Sequence, residues 1–316
     1  MRYVKVNTTP QGGGAALFPP HALNFWRYAS AAVAVTVIAL LTRRGKFRAV
    51  FRRLWVPLVL GVMLATFQMI WVYGVWLVPA SYGALVIRMT MIFSLLLGYL
   101  FFAEERRVIR SRAFLVSAVL GLVSVACIAV FDDDFAMRGA LMSGTLIFLV
   151  SSFLWSAYSV TIRKIARKTS PLPTFAVTVC VATAILAVPA AIEGRIGVMF
   201  DRQISRPNIQ LAVFFSGALC VGVTNSLYYQ SLRRIGVAYT ALVSLASPFL
   251  TGVFAYLVLG PEEKLNFTQW AFGSVLVACL AFMILSSSRG KVRAAPSTQG
   301  APGLAPEVEP GSDRSD

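Results

Sequence analysis

The amino-acid sequence predicts an all-α fold, a polytopic bundle of transmembrane helices. Its 316 residues are 57% hydrophobic and only 13% charged, and the mean hydropathy is +0.72. A soluble domain has about 45–50% apolar and about 25% charged residues. The apolar residues also fall in blocks of roughly 18–25, the length of helix that crosses a hydrocarbon core of about 30 Å. Composition and block length together exclude a soluble domain.

Nine such blocks follow one another, and each is predicted to form one membrane-spanning helix. Few of them show the strict alternation that a barrel strand needs, whereas a helix satisfies its backbone within the segment. The predicted spans are residues 24–41, 55–77, 79–102, 113–131, 139–162, 172–192, 209–230, 235–260 and 267–288.

The two ends of the chain lack such blocks. Residues 1–23 have no apolar stretch long enough for the core of a signal peptide, and we expect them to be poorly ordered or interfacial. Residues 289–316 are predicted to be a disordered cytoplasmic tail. The reason is that residues 294–316 are rich in Pro, Gly, Ser and acidic residues and have little apolar surface to bury.

The net charge of +16 lies mostly in loops on one predicted side. Nineteen Lys and Arg residues fall in loops 42–54, 103–112, 163–171, 233–234 and 289–293, and five fall in the opposite loops. The positive-inside rule makes the first set cytoplasmic. This predicts a multi-pass protein of the cell membrane with a cytoplasmic C-terminus and an external N-terminus. The basic residues form no continuous stripe, so nucleic acid is not an expected partner.

Catalytic and metal-binding patterns are missing from the sequence. Cys127, Cys180, Cys220 and Cys279 lie far apart inside apolar blocks, and His21 is the only histidine. No Asp or Glu lies inside a predicted span. An intramembrane enzyme needs a nucleophile–base pair or a metal cluster. We therefore expect no catalytic residue, no metal, no cofactor and no enzyme activity.

Two stretches of the chain resemble each other. Residues 81–105 begin Ser-Tyr-Gly-Ala-Leu-Val and end in a Glu-Glu pair, and residues 238–263 begin Ala-Tyr-Thr-Ala-Leu-Val and end likewise. The first pair lies in a predicted cytoplasmic loop and the second in a predicted external loop. The copies therefore run in opposite directions, as in transporters built from inverted repeats. Chance similarity between two apolar helices is the alternative.

The two repeats differ in their number of spans. Residues 24–131 hold four spans and residues 139–288 hold five. The counterpart of span 139–162 would precede residue 24, where Gly12-Gly13-Gly14 and Pro19-Pro20 do not favour a lipid-facing helix of ~20 residues. The expectation is that the first helix is absent or that the recorded start is too late.

A set of short motifs gives the chain a family resemblance. They are Pro20 with Phe25-Trp26-Arg27-Tyr28, the helix ending in Glu104, Trp155-Ser156-Ala157-Tyr158, Ala241-Leu242-Val243-Ser244 with Pro248, Glu262, and the helix of Gly273. Over about residues 19–288 the chain resembles the EamA-like branch of the drug/metabolite transporter superfamily. The resemblance implies ten helices in two inverted five-helix halves around a central substrate cavity, which the missing first helix would help to line.

Arg88 is the first candidate site residue. It is the tenth residue of span 79–102 and lies about 14 Å from the external end. An arginine at that depth costs about 2.5–3.5 kcal/mol on insertion scales. Its repeat counterpart is Leu245, so the shared fold does not require it. We hypothesise a fixed positive charge for a carboxylate or other anion. Pairing with helix-end carbonyls or cavity water is the alternative.

Further polar side chains lie at membrane depth. Gln68 and Asn225 align in the repeat at mirrored depths, and Ser151, Trp155 and Tyr158 share one helix face by their i, i+4, i+7 spacing. Tyr228 and Tyr229 add aromatic lining. These residues are predicted to line the substrate pathway. Interhelical hydrogen bonds and ordinary helix packing are the alternatives.

Pro248 marks a second feature of the predicted pathway. It lacks an N–H, so the carbonyl of Ser244 loses its helical donor, and Ser247 lies beside it. An exposed carbonyl at membrane depth is tolerated where it lines a cavity. A packing kink is the alternative. Arg27, near the external face, is expected to snorkel to the interface.

The sequence as a whole favours a carrier for small organic metabolites. Amino-acid-like or anionic compounds are the expected substrates, moved by alternating access and outward. Without a carboxylate inside a span, facilitated transport or exchange is favoured over proton coupling. The alternative is a transport-inactive or truncated membrane component that acts through helix–helix interaction. The expected partners are the lipid bilayer and a small-molecule substrate, with a homodimer as a candidate assembly.

Overall fold

Most of the residues that the computed structural model describes are helical, and no strand occurs among them. These are residues 19–77, 87, 89–112, 114–120, 123, 141–165, 169–201, 206–244 and 246, with residues 271, 274, 275, 278 and 282. The helices are α1 (Pro20–Arg43), α2 (Phe47–Phe51), α3 (Trp55–Leu77), α4 (Met89–Phe101), α5 (Ala103–Ile109), α6 (Leu141–Ile165), α7 (Pro171–Ile192), α8 (Pro207–Arg234) and α9 (Val237–Ser244). Short 3₁₀ turns cover Arg44–Lys46 and Ile196–Phe200, and Ser216–Val223 within α8 is π-helical.

Proline sets the start of three long helices. Pro20, Pro171 and Pro207 each occupy the first helical position, where the missing N–H costs nothing and the fixed φ suits the helix. This explains why α1 begins four residues before the predicted boundary at residue 24. The predicted span 55–77 matches α3, Trp55–Leu77.

Among the residues that the structure describes, five helices are long and apolar enough to cross a membrane. They correspond to predicted spans 24–41, 55–77, 139–162, 172–192 and 209–230. Helix α4 is apolar but has only 13 described residues of span 79–102. Most of spans 113–131, 235–260 and 267–288, all of segment 1–18 and the tail 289–316 lie outside the described residues. The all-α membrane class is confirmed, and the count of nine spans stays a prediction.

The core lies where α1, α3, α6, α7 and α8 pack together. Its fully buried side chains include Leu60 and Leu64 of α3, Phe175 of α7 and Leu232 of α8. Large apolar side chains also face outward along the spans, for example Leu41 at 81% exposure and Ile192 at 82%. A soluble protein rarely exposes such continuous apolar surface, whereas lipid covers it in a membrane.

The helix ends form two opposite sides. Arg233 at the end of α8 donates to the carbonyl of Thr169 before α7 (2.8 Å), and Arg163 at the end of α6 pairs with Glu104 at the start of α5 (3.2 Å). We call this the basic side, and the side of residues 192–207 the opposite side. Helix α3 begins at the basic side and its repeat counterpart α8 ends there. The matched spans therefore run in opposite directions, as the inverted repeat predicts.

Candidate substrate site

Aromatic side chains from both repeats meet around Trp155 of α6. Its ring centroid lies 4.9 Å from that of Phe67 on α3, 5.3 Å from that of Tyr228 on α8 and 5.5 Å from that of Tyr158. Tyr229 packs on Tyr158 at 6.2 Å. We call these five residues the central aromatic cluster. Trp155 is half-buried, whereas Tyr158 and Tyr229 are fully buried.

The tyrosine hydroxyls of the cluster are hydrogen-bonded between helices. The hydroxyls of Tyr158 and Tyr229 lie 2.7 Å apart, and that of Tyr228 lies 2.6 Å from Oγ of Ser159. Both pairs join α6 to α8. A hydroxyl donates one hydrogen bond and accepts two. The paired hydroxyls of the fully buried Tyr158 and Tyr229 link α6 to α8, and of the three tyrosines only Tyr228 is partly exposed.

A ridge of serines fixes α4 and the turn before it against α6. Oγ of Ser156 donates to the carbonyl of Thr90 (2.9 Å) and contacts Oγ of Ser94 (3.1 Å). Oγ of Ser152 donates to the carbonyl of Phe148 (2.7 Å) and lies 3.4 Å from that of Ile87. Ile87 and Thr90, which flank Arg88 in sequence, are thus held by serines that lie within one helical turn of Trp155 on α6.

Two buried amides lie between α1 and α3, and one of them, Gln68, follows Phe67 of the cluster in sequence. Nδ2 of Asn24 approaches the backbone carbonyl of Gln68 at 3.5 Å, the long limit for a hydrogen bond. Oδ1 of Asn24 and Oε1 of Gln68 are buried and have no protein partner among the described residues. An unsatisfied buried acceptor costs about 1–3 kcal/mol. Such oxygens are suited to receive a donor from water or substrate.

Comparisons with known proteins identify the family of this chain. The model of the EamA-like transporter family matches twice, over residues 11–130 and 142–286. The chain belongs to the EamA-like transporter family. The two matches confirm the two-repeat organisation and the family resemblance seen in the sequence, and this EamA-like protein is a multi-pass membrane protein.

Two relatives of this EamA-like protein are described as uncharacterized transporters. One, from Methanothermobacter thermautotrophicus, is 22% identical over 244 residues, or 76% of this chain and 68% of the relative. The other, from Haemophilus influenzae, is 19% identical over 219 residues, or 69% and 70%. A solved crystal structure aligns with a TM-score of 0.70 at 18% identity over 92% of this chain and 93% of its own. That likeness shows the shared fold alone.

The structure brings some of the predicted site residues together. Trp155, Tyr158 and Tyr228 meet in the central aromatic cluster, and Gln68 follows Phe67 on α3. Oγ of Ser151 donates to Ile147 of its own helix (2.7 Å), and Nδ2 of Asn225 donates to Val221 of its own helix (2.8 Å). Each of these two side chains therefore makes at least one hydrogen bond to the backbone of its own helix.

Of the predicted pathway residues around Pro248, the structure describes only Ser244. Oγ of Ser244 donates to the carbonyl of Ala241 (2.6 Å). Arg88, Ser247 and Pro248 lie outside the described residues. Their part in the pathway stays a prediction, as does the role of every other predicted site residue of this EamA-like protein.

Several residues near the site were missed by the sequence analysis. Ser159 follows Trp155 by four residues, so extending the predicted helix face by one turn would have found it. Phe67 and Asn24 gave no such signal. Their position depends on how α1 packs on α3 and α3 packs on α6, which local sequence does not encode.

A network of charged and backbone groups surrounds Glu105 at the basic side. This carboxylate forms an ion pair with Arg163 and accepts the backbone N–H groups of Val237 (2.7 Å) and Ala238 (3.1 Å) at the start of α9. The guanidinium also lies 4.5 Å from the ring centroid of Phe102. Gly236 precedes α9 with φ +92°, and a Cβ there would lie 2.7 Å from both Arg163 and Glu105. We call Glu105, Arg163 and the start of α9 the basic-side network.

The opposite side holds a weaker set of contacts near the start of α1. Nε2 of His21 lies 3.9 Å from Glu193 after α7. Burial raises the pKa of the Glu193 carboxyl, and hydrogen bonds from the backbone of Ala22 and His21 oppose that rise. Nε of Arg27 donates to Oγ of Ser216 on α8 (2.8 Å). This hydrogen bond joins α1 to α8, and the expectation that Arg27 snorkels to the interface stays a prediction.

Proposed function

We propose that this protein carries small organic metabolites across the membrane by alternating access around the central aromatic cluster. The supporting observation is the meeting of Phe67 from the first repeat with Trp155 and Tyr228 from the second. Transporters with inverted repeats bind substrate near the midplane at the repeat interface. Aromatic faces with paired hydroxyls suit a ligand that has an apolar body and polar ends.

An amino-acid-like or anionic substrate is the proposed class. Arg88 supplies the cation, and its flanking residues Ile87 and Thr90 are fixed to the serines of α6, close to Trp155. The amide oxygens of Asn24 and Gln68 supply acceptors for an ammonium or hydroxyl group. The combination matches a molecule with a carboxylate at one end and a donor at the other.

The basic-side network has a proposed role in the transport cycle. It joins α5 of the first repeat to α6 and α9 of the second, so it holds the two repeats together at one end. Alternating access requires relative motion of the repeats. The network would have to open when the site faces the basic side, and the lighter contacts of His21 and Glu193 would open when it faces the other side.

The energy source is proposed to be the substrate gradient or exchange. No Asp or Glu lies within α1, α3, α4, α6, α7 or α8 in the described part of the chain. Proton-driven carriers commonly use carboxylates at membrane depth. The proposed direction is export, and counterflow in right-side-out and inverted vesicles measures it.

The orientation is proposed from the distribution of charge. The basic side faces the cytoplasm under the positive-inside rule, which places the C-terminus in the cytoplasm of a cell-membrane protein. A reporter fused to the C-terminus that is active only outside the cytoplasm should stay silent. Activity of that reporter would reverse the orientation.

The substitution Arg88→Ala tests the substrate class. In liposomes that contain the purified full chain, it should reduce uptake of anionic compounds by about 10–100-fold, because a charge-assisted hydrogen bond contributes about 1.5–3 kcal/mol. Labelled amino acids and small dicarboxylates are the probes. Arg107→Ala, an exposed arginine of the basic side, is the control and should transport as the unmodified chain does.

Two outcomes would overturn parts of this proposal. If Arg88→Ala takes up every anionic probe as the unmodified chain does, the proposed anionic class of substrate is wrong. Absence of transport of any probe by the unmodified chain would favour the alternative of a transport-inactive membrane component.

A further inference from the structure

A cavity of about 840 Å³ opens on the basic side, away from the central aromatic cluster. It lies where the end of α1, the start of α7 and the end of α8 come together. Its polar lining includes four cations, Arg43, Lys46, Arg233 and Arg234, and no carboxylate among the lining residues. Pockets that hold small ligands have volumes of about 300–1,000 Å³. The cavity is large enough for a lipid headgroup.

The four cations line one cavity, and none of them is in an ion pair with a carboxylate among the described residues. Nη1 of Arg233 is held by the carbonyl of Thr169 (2.8 Å), which fixes this side chain at the cavity wall. Arg43, Lys46 and Arg234 are exposed. Like charges that share a cavity repel one another, and a bound anion relieves that repulsion. The lining therefore favours a group with a full negative charge and several acceptor oxygens, such as a phosphate.

The apolar part of the lining favours a lipid as the source of that anion. Ile38 of α1 and Leu172 of α7 line the same cavity. Ile38 is 41% exposed and its neighbour Leu41 is 81% exposed, on the outward face of a membrane-spanning helix. The cavity thus adjoins the surface that acyl chains cover. A headgroup could enter while its chains lie along Ile38 and Leu41.

We propose that this cavity binds the phosphate headgroup of an anionic phospholipid. Basic pockets between transmembrane helices at the cytoplasmic surface have the charge that such headgroups require. The lipid would hold α1, α7 and α8 together at the basic side. The proposal rests on membrane insertion of the helices and is independent of which substrate the protein carries.

The double variant Arg43→Gln/Arg234→Gln tests the site. Native mass spectrometry of the purified full chain measures how much phosphatidylglycerol is retained relative to phosphatidylcholine. Each cation near an anionic headgroup contributes about fivefold in affinity, so retention of phosphatidylglycerol should fall by about 30-fold. Phosphatidylcholine retention should not change.

The matched control is Arg52→Gln/Arg53→Gln. It removes the same charge from the turn after α2 on the same side, at exposed residues outside the cavity lining. Its phosphatidylglycerol retention should equal that of the unmodified chain. Equal losses in both double variants, or no loss in Arg43→Gln/Arg234→Gln, would overturn the site.

Inorganic phosphate separates a lipid from a free anion. Millimolar inorganic phosphate added to the purified protein should not displace phosphatidylglycerol, because the acyl chains add contacts that free phosphate lacks. Displacement by inorganic phosphate would show a site for a soluble anion and would overturn the lipid assignment. Transport of labelled amino acids in liposomes is a separate readout, so its failure would leave this result unaffected.

Discussion

At the scale of single residues, two neighbouring glutamates have opposite environments. The side chain of Glu105 is 5% exposed and that of Glu104 is 66% exposed, although both pair with Arg163. Glu105 also accepts two backbone N–H groups at the start of α9. A buried pair with hydrogen bonds from backbone is far more costly to break than a surface pair.

We predict that Glu105→Gln destabilises the protein by about 3–5 kcal/mol, because the change leaves Arg163 facing a neutral amide in a buried site. The control, Glu104→Gln, should cost about 0–1 kcal/mol. The free energy of unfolding in detergent micelles, measured with increasing denaturant, checks both values. Equal costs for the two variants would mean that the basic-side network does not hold the repeats together.

The sequence predicted part of the site at this scale. The i, i+4, i+7 spacing placed Trp155 and Tyr158 on one face of α6, because helical periodicity is local information. The burial of Glu105 was not predictable in the same way. Its partner N–H groups are 132 and 133 residues further along the chain, and only the packing of α9 against α5 brings them close.

At the scale of helices, α1 and the π-helical part of α8 approach each other closely. A Cβ on Gly217 would overlap the carbonyl oxygen of Arg27 and lie 2.8 Å from Cβ of Ser30. One on Gly222 would lie 2.9 Å from Val35. Small residues allow such contact between membrane helices, whose association relies on close packing.

We therefore predict that Gly217→Ala destabilises the protein by at least about 1–3 kcal/mol, the usual cost of overpacking, since backbone cannot move aside as a flexible side chain can. Gly197→Ala is the control, because nothing lies within 4 Å of the Cβ that it adds. Thermal unfolding in one detergent should lower the midpoint for Gly217→Ala alone. A midpoint unchanged from that of the unmodified chain would contradict the close approach of α1 and α8.

Helix positions were predicted better than helix contacts. The apolar blocks predicted both ends of α3 correctly and the ends of α7 to within one residue, because the thickness of the bilayer fixes the length of a span. The start of α1 was missed by four residues, although Pro20 was a visible signal for it. The π-helical turn of α8 and its contact with α1 depend on tertiary packing and had no local signal.

At the scale of the whole molecule, the inverted repeat explains why the central aromatic cluster lies between α3, α6 and α8. The Glu-Glu pairs and the loop charges predicted the two opposed copies, and the two family matches confirm the two-repeat organisation. Loop charge could predict this because it reports the side of each helix end. Which faces of the helices meet could not be predicted, since apolar residues surround most of each span.

The central claim is that substrate contacts the central aromatic cluster, and counterflow of labelled amino acids and small dicarboxylates in liposomes tests it most directly. Trp155→Ala should lower the counterflow that the unmodified chain shows by about tenfold or more, because it removes about 1.5–3 kcal/mol of aromatic contact. Trp155→Phe, which keeps a ring, should restore part of that loss. Phe153→Ala, at a residue of the same helix that is 47% exposed and outside the central aromatic cluster, is the matched control and should transport normally. Folded Trp155→Ala protein with unchanged counterflow would contradict the account.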